Sequence, residues 1–318
     1  MNHIVKFFPI VFGVLLAVLL LLTFQSTFKN PFFSMKEGKP QEELSYHFAF
    51  YLPDSDYSFT ENFKKGVIEA GEALKCGITF HSIEEEPLSL EMAAYSGIDG
   101  IAIYPFQKSS NILEYVNKII DEGIPVVQIE NEIIRNENSF QIGTNYFETG
   151  KAIGNMALIL NEDKINIAII YSDKTPGLSS DNNLIEMGII NVLGTRAGTL
   201  TTKRTSLNPL DAERLTYELL RESNNIDVIV LTDPNDTLVT VQAIIDMNMV
   251  GSVQIIGSGD APKIKEYIEK GVILGSIVRN PYRIGFSSVM ALREINLIGY
   301  TSAYVDTGIS VITKRSKE

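Results

Sequence analysis

Tryptophan is absent from the 318 residues, cysteine occurs once and histidine three times. The single thiol, Cys76, excludes an internal disulfide and reads as a small apolar filler near a helix end. His3, His47 and His81 are scattered, so the clustered ligands of a Cys/His zinc site are missing. Basic charge is scarce as well. Lys and Arg number 27 against 39 Asp and Glu, a net charge of −12. A phosphate backbone rewards a basic surface, so nucleic acid is excluded as the main partner. Signatures of chemistry are also lacking. Gly257-Ser258-Gly259 runs into Pro262 where a dinucleotide loop needs its third glycine. Asn145-x4-Gly150-Lys151-Ala152 departs from a P-loop at both ends. There is no Gly-x-Ser-x-Gly elbow and no twelve-residue calcium loop. The expectation is a protein that is not an enzyme and takes no metal or cofactor.

What is present is apolar. Hydrophobic residues make up 45 %, enough for an ordinary globular core. Residues 7–24 read FFPIVFGVLLAVLLLLTF, eighteen positions without a charge between Lys6 and Lys29. That reaches the lower end of the length a bilayer core demands, about 17–25 residues, and exceeds the apolar stretch of a signal peptide. No small-x-small cleavage site and no lipid-accepting cysteine follow at Gln25-Ser26-Thr27-Phe28. An uncleaved anchor is expected over 7–24, embedded in membrane lipid, with a polar linker over 25–43. Its flanking lysines would place the bulk of the chain in the cytoplasm on charge alone. The fold below outranks that count and implies an extracytoplasmic domain on a single-pass anchor.

From Leu44 onward, short apolar runs alternate with helical patterns. The strand expectations are Tyr46–Leu52, Ile78–Ile83, Gly100–Tyr104, Pro125–Glu130, Ile165–Tyr171, Gly198–Lys203, Val228–Leu231, Val253–Gly257 and Gly275–Val278. Several are continuously apolar, the pattern of a parallel strand covered by helices on both faces. Helices are expected over Thr60–Lys75, Ser109–Glu122, Thr149–Leu160, Asp181–Val192, Pro209–Glu222, Asp233–Asn248, Pro262–Lys270 and Pro281–Leu297. This rhythm predicts α/β architecture with mostly parallel sheets and right-handed crossovers. About 270 residues of it exceed one core, so two Rossmann-like lobes are expected.

Ligands of open α/β sheets bind beyond the carboxyl ends of the strands. Those ends here carry Pro53-Asp54-Ser55-Asp56-Tyr57-Ser58-Phe59, Tyr104-Pro105-Phe106, Glu130-Asn131, Asp173, Asp233-Pro234-Asn235-Asp236, Ser258-Gly259-Asp260 and Arg279-Asn280-Pro281-Tyr282. Carboxylates, amides and an arginine can bond several hydroxyls at once, and aromatic faces suit the C–H side of a sugar ring. Any one of them also serves as a helix cap or a solvated loop residue.

The segments IPVVQIENE (Ile124–Glu132), IGTNYFETGKAIG (Ile142–Gly154), VIVLTDPND (Val228–Asp236), VQIIGSGDAP (Val253–Pro262) and GVILGSIVRNPYRIG (Gly271–Gly285) resemble, in order and spacing, the periplasmic sugar-binding proteins of the ribose-binding type. The resemblance runs from Tyr46 to about Ile312. It implies two lobes joined by a three-segment hinge near Gly143-Thr144, Arg279-Asn280 and Asp306-Thr307, closing on a small sugar. Lobe one would comprise 44–143 plus 280–305, and lobe two 144–279 plus 306–318. The first-loop aromatics of the family fall on Tyr57 and Phe59, its strand-end carboxylate on Glu130 and a neighbouring arginine position on Asn131. The second-lobe arginine falls near Asn183, a polar strand-end residue on Asp233, the later acidic residue on Gly259 or Asp260, and the hinge amide on Arg279. Two guanidinium positions have thus become amides, and one amide position has become an arginine. A pentose, xylose first, is the implied ligand. The resemblance extends to membrane-anchored xylose-binding proteins that partner a sensor histidine kinase, and the other implied partner is an ABC sugar permease.

Overall fold

The computed structural model describes residues 46–53, 57–83, 87–104, 110–134, 136–173, 183–206, 208–222 and 225–314. The expected anchor at 7–24, the linker at 25–43 and the strand-end residues Asp54–Asp56 and Pro105-Phe106 lie outside them. Among the described residues, no helix is long and apolar enough to cross a membrane.

Two six-stranded sheets form the frame. The first holds β1 (Tyr46–Leu52), β2 (Cys76–Ser82), β3 (Gly100–Ile103), β4 (Val126–Ile129), β5 (Ser139–Gly143) and β11 (Tyr304–Asp306), in the order β11-β5-β4-β3-β1-β2. All its pairings are parallel. The second holds β6 (Ile165–Ser172), β7 (Ala197–Thr205), β8 (Val228–Leu231), β9 (Gln254–Ser258), β10 (Gly275–Arg279) and β12 (Ile309–Thr313), in the order β12-β10-β9-β8-β6-β7. Only β12 runs antiparallel, against β10.

The helices are α1 (Tyr57–Leu74), α2 (Pro87–Ala93), α3 (Ser110–Asp121), α4 (Tyr146–Ala157), α5 (Leu184–Leu193), α6 (Asp211–Glu222), α7 (Pro234–Asp246), α8 (Pro262–Glu269) and α9 (Pro281–Ile298). They cover both faces of each sheet, and strand alternation assigns the faces. In β1, Phe48, Phe50 and Leu52 pack toward α1 and α9, while Ala49 and Tyr51 pack toward α2 and α3. In β6, Ile165, Ile167 and Ile169 pack toward α4 and α5, while Ala168 and Ile170 pack toward α6, α7 and α8. Cys76 opens β2, two residues beyond the end of α1, buried in the first core.

The chain passes between the sheets three times: from β5 into α4, from β10 into α9, and from β11 into β12. The helix after each of the first two passages is capped by asparagine. Asn145 Oδ1 accepts the Glu148 N–H and Asn280 Oδ1 accepts the Arg283 N–H. Five residues on in each case stands a glycine. A Cβ on Gly150 would collide with the Ile185 carbonyl, and one on Gly285 with the Phe63 carbonyl. These contacts let α4 lie against α5 and α9 against α1 at backbone distance.

Six elements differ from the sequence expectation. α1 begins at Tyr57, so Thr60 lies inside the helix and does not cap it. α4 begins at Tyr146, not Thr149, because the Asn145 cap acts one turn earlier. β5, β11 and β12, and the short α2, were not expected at all. β5 and β12 mix polar with apolar residues, β11 is three residues long and α2 is seven, each too weak a signal on its own.

Candidate functional site

A cleft of about 260 Å³ lies between the start of α1 and the carboxyl ends of β9 and β10, crossed by the second passage between lobes. From lobe one, α1 supplies Phe59 and Asn62. From lobe two, the loop after β9 supplies Ser258, Gly259 and Asp260. The passage itself supplies Arg279, Asn280 and Tyr282. A second hollow of about 30 Å³ lies beside Arg279 and is lined chiefly by apolar side chains such as Ile153, Ile185 and Ile277.

Arg279 is the centre of this arrangement. Its guanidinium carbon lies 4.9 Å from the centroid of the Phe59 ring, within cation–π range. Phe59 is 5 % exposed and is braced by Tyr104 at 5.0 Å and Phe63 at 6.2 Å between ring centroids. On its other side Arg279 Nη1 faces Glu130 Oε1 at 3.6 Å, with the Glu130 side chain fully buried and that of Arg279 15 % exposed.

Glu130 follows β4 and has φ +63°, a left-handed conformation that a non-glycine residue rarely adopts. Its carboxylate is held from the first passage. The Thr144 N–H donates to Oε2 (3.1 Å), the Thr144 hydroxyl to Oε1 (3.0 Å) and the Tyr146 hydroxyl to Oε2 (2.9 Å). Burial, and next the Glu130 carboxylate, push the Tyr146 hydroxyl well above the ordinary tyrosine range. Gly143 passes directly behind: a Cβ there would lie 2.8 Å from Glu130 Cα. The third passage is tied in as well, because the N–H and hydroxyl of Thr307 both donate to the Gly143 carbonyl, at 3.0 and 3.1 Å.

Of the residues singled out from sequence, Phe59, Asp260 and Arg279 line the cleft, with Glu130 directly behind Arg279. Asp260 is 61 % exposed at its side chain and pairs with Lys265 at 2.9 Å. Asp233 is the N-cap of α7, where its Oδ1 accepts the N–H groups of Asn235 and Asp236. Asn183 stands exposed at the N-terminus of α5 and Asn131 is half-buried after β4, and neither is among the residues lining the cleft. Tyr57 is the first residue of α1, and its side chain lies outside the described set.

Asn280 and Tyr282, part of the strand-end stretch after β10, line the cleft as well, while Asn62 and Tyr146 carry no such mark in the sequence. Asn62 lies three residues after Phe59 on the same helical face, a spacing that was available as a signal. Tyr146 follows an asparagine cap at the passage and could have been found the same way. Among the described residues, no group of three or more His, Cys, Asp or Glu side chains is placed to hold a metal ion.

Residues 48–298 match the periplasmic binding protein domain. No curated protein matches the chain significantly. Among solved structures, GanP, a glucose–galactose binding protein from Geobacillus stearothermophilus, aligns at TM-score 0.72 and 21 % identity, over 86 % of this chain and 99 % of its own. The sugar-binding protein of a sugar ABC transporter from Bacillus halodurans aligns at 0.71 and 20 %, over 85 % and 98 %. XylFII, in its complex with LytSN, aligns at 0.69 and 20 %, over 86 % and 99 %. At such identities these likenesses speak to fold. The family match spans most of the sequence and both sheets, and on that ground the chain belongs to the periplasmic binding protein domain family, whose members bind ligands and do no chemistry on them.

Proposed function

We propose that residues 44–318 form an extracytoplasmic sugar receptor, held at the membrane through 7–24, that closes on a pentose such as xylose. Lobe one is 44–143 with 280–305, and lobe two is 144–279 with 306–318. The observation that carries this reading is the Phe59–Arg279 pair, set among amides in a cleft between α1 and the strand ends of lobe two. A ring, a five-donor guanidinium and carboxamides are the groups a small polyol requires. The cleft of about 260 Å³ lies below the range of about 300–1,000 Å³ for drug-sized ligands, so it suits one small ring.

A trap whose two halves meet only on closure binds ligand better in the closed state, and ligand therefore shifts the population toward it. The closed form then presents a surface to a membrane partner, such as a sensor histidine kinase ectodomain. The XylFII–LytSN complex is a precedent for this fold engaging a second protein. The Bacillus halodurans relative supports a second reading, the binding subunit of an ABC sugar importer.

Calorimetric titration of the full chain in lipid nanodiscs with pentoses, hexoses and inositol tests the receptor reading. One sugar is expected to bind below millimolar, and Arg279→Ala is expected to abolish that binding. Silence across the panel overturns it.

A further inference from the structure

We infer that Glu130 is the tie of the hinge and the positioning residue for Arg279, and that it does not contact the ligand. The inference deepens the receptor reading by assigning recognition to Arg279 and coupling to Glu130.

The argument begins with acceptor capacity. An ionised carboxylate offers about four lone-pair sites. At Glu130, Oε2 is taken by the Thr144 N–H and the Tyr146 hydroxyl, and Oε1 by the Thr144 hydroxyl, with Arg279 Nη1 facing it at 3.6 Å. Three hydrogen bonds and the Arg279 charge surround the carboxylate, and its side chain is fully buried, so a sugar hydroxyl would have to open that site to reach it. The three donors belong to the first passage and the facing guanidinium to the second, whereas Glu130 belongs to neither. It stands on lobe one, with its N–H donating to the Ile142 carbonyl and its carbonyl accepting from Gln141 Nε2. Thr307 binds the third passage to the Gly143 carbonyl, within the same knot. One side chain thus bridges the first and second passages, and the third is tied to the first through Thr307 and Gly143.

The backbone supports this assignment. A left-handed conformation at a glutamate costs on the order of 1–3 kcal/mol and persists only where the surroundings enforce it. Here it turns the side chain back across Gly143, where any larger residue would strike Glu130 Cα. The consequence for recognition is direct. The Glu130 charge faces the guanidinium that lies 4.9 Å from the Phe59 ring centroid, so the fork presented to the cleft is set by the hinge angle. Ligand bonding to Arg279 then pulls on the hinge through Glu130.

The test reads the hinge without ligand. The full chain in nanodiscs, in a Cys76→Ala background, carries spin labels at Glu122→Cys in lobe one and Glu269→Cys in lobe two. Double electron–electron resonance then gives the interlobe distance distribution. A single narrow population is expected for the parent, and Glu130→Ala should add a second, longer population. Tyr146→Phe and Thr144→Val each remove donors, should give smaller shifts in the same direction, and keep the test alive if Glu130→Ala fails to fold. Unchanged distributions in the folded variants overturn the inference. Titration with D-xylose, L-arabinose and D-ribose supplies the second readout. A tie weakens every sugar that binds by a similar factor in Glu130→Gln, whereas a changed ranking among sugars means direct contact and overturns the inference. If none of the sugars binds, the receptor reading fails and the distance distributions still decide the role of Glu130.

Discussion

Lobe one packs phenylalanine behind its cleft where lobe two packs isoleucine. Phe48, Phe50, Phe59 and Phe63 join Tyr104 in the first core; Ile165, Ile167, Ile169, Ile185 and Ile189 fill the corresponding core of the second. The rings run in a connected series, Phe50 to Phe63 to Phe59, and end beneath Arg279. Lobe one therefore carries its hydrophobic core up to the cleft surface. Lobe two brings its isoleucines only to the small hollow beside Arg279, and its strand-end carboxylates are engaged elsewhere: the side chain of Asp233 caps α7, the buried Asp236 Oδ2 accepts the Thr205 hydroxyl, and Asp260 pairs with Lys265. Equivalent scaffolds thus present a flat apolar floor on one side and a capped polar edge on the other. The difference teaches that a strand-end carboxylate is taken up by architecture where donors converge on it, as the helix N–H groups do at Asp233 and the hinge donors do at Glu130.

The comparison breaks most severely at what the lobes share. Gly150→Val in lobe two and Gly285→Val in lobe one each drive a side chain into a facing helix carbonyl. Both are expected to cost about 5 kcal/mol or more, the range reserved for gross misfit, and to abolish a cooperative urea transition. Equal losses mean the two glycine crossings are equivalent. Next in size is the core contrast. Phe63→Ala removes a fully buried ring and should cost about 3–5 kcal/mol, while Ile169→Val in the other core should cost about 0.5–1.5 kcal/mol. Chemical denaturation measures both, and a Phe63→Ala loss no larger than the Ile169→Val loss would refute an aromatic backing for the cleft. The smallest effect sharpens the polar edge. Asp233→Ala removes a helix cap and should cost about 1 kcal/mol of stability with sugar affinity retained. A large drop in affinity at unchanged stability would return Asp233 to the binding set.

Most of the parallel frame was legible because buried parallel strands are written as apolar runs: Val228–Leu231 is continuously buried. The outer strands were not. Ser139–Gly143 carries a serine, a glutamine and a glycine, and its place follows from pairing with β4 and β11, which no local pattern encodes. At the site, Phe59, Asp260 and Arg279 were legible from strand-end position alone. Asp233 carried the same signal, yet Pro234 directly after it is the ordinary mark of a helix start, and the cap won. The partners of Glu130 were out of reach, since Thr144 and Tyr146 come to its carboxylate only once the passage is folded.

The interleaving of the last strands has a consequence for synthesis. Lobe one has five of its six strands by Gly143, yet α9 and β11 arrive only after Arg279, and lobe two waits for β12 at Ile309–Thr313. At about 5–20 residues per second, the first sheet stands with an open edge on the ribosome for on the order of ten to thirty seconds. Both lobes then reach completion almost together, so a truncated chain cannot leave one finished half behind, and quality control meets either a whole molecule or two unfinished ones.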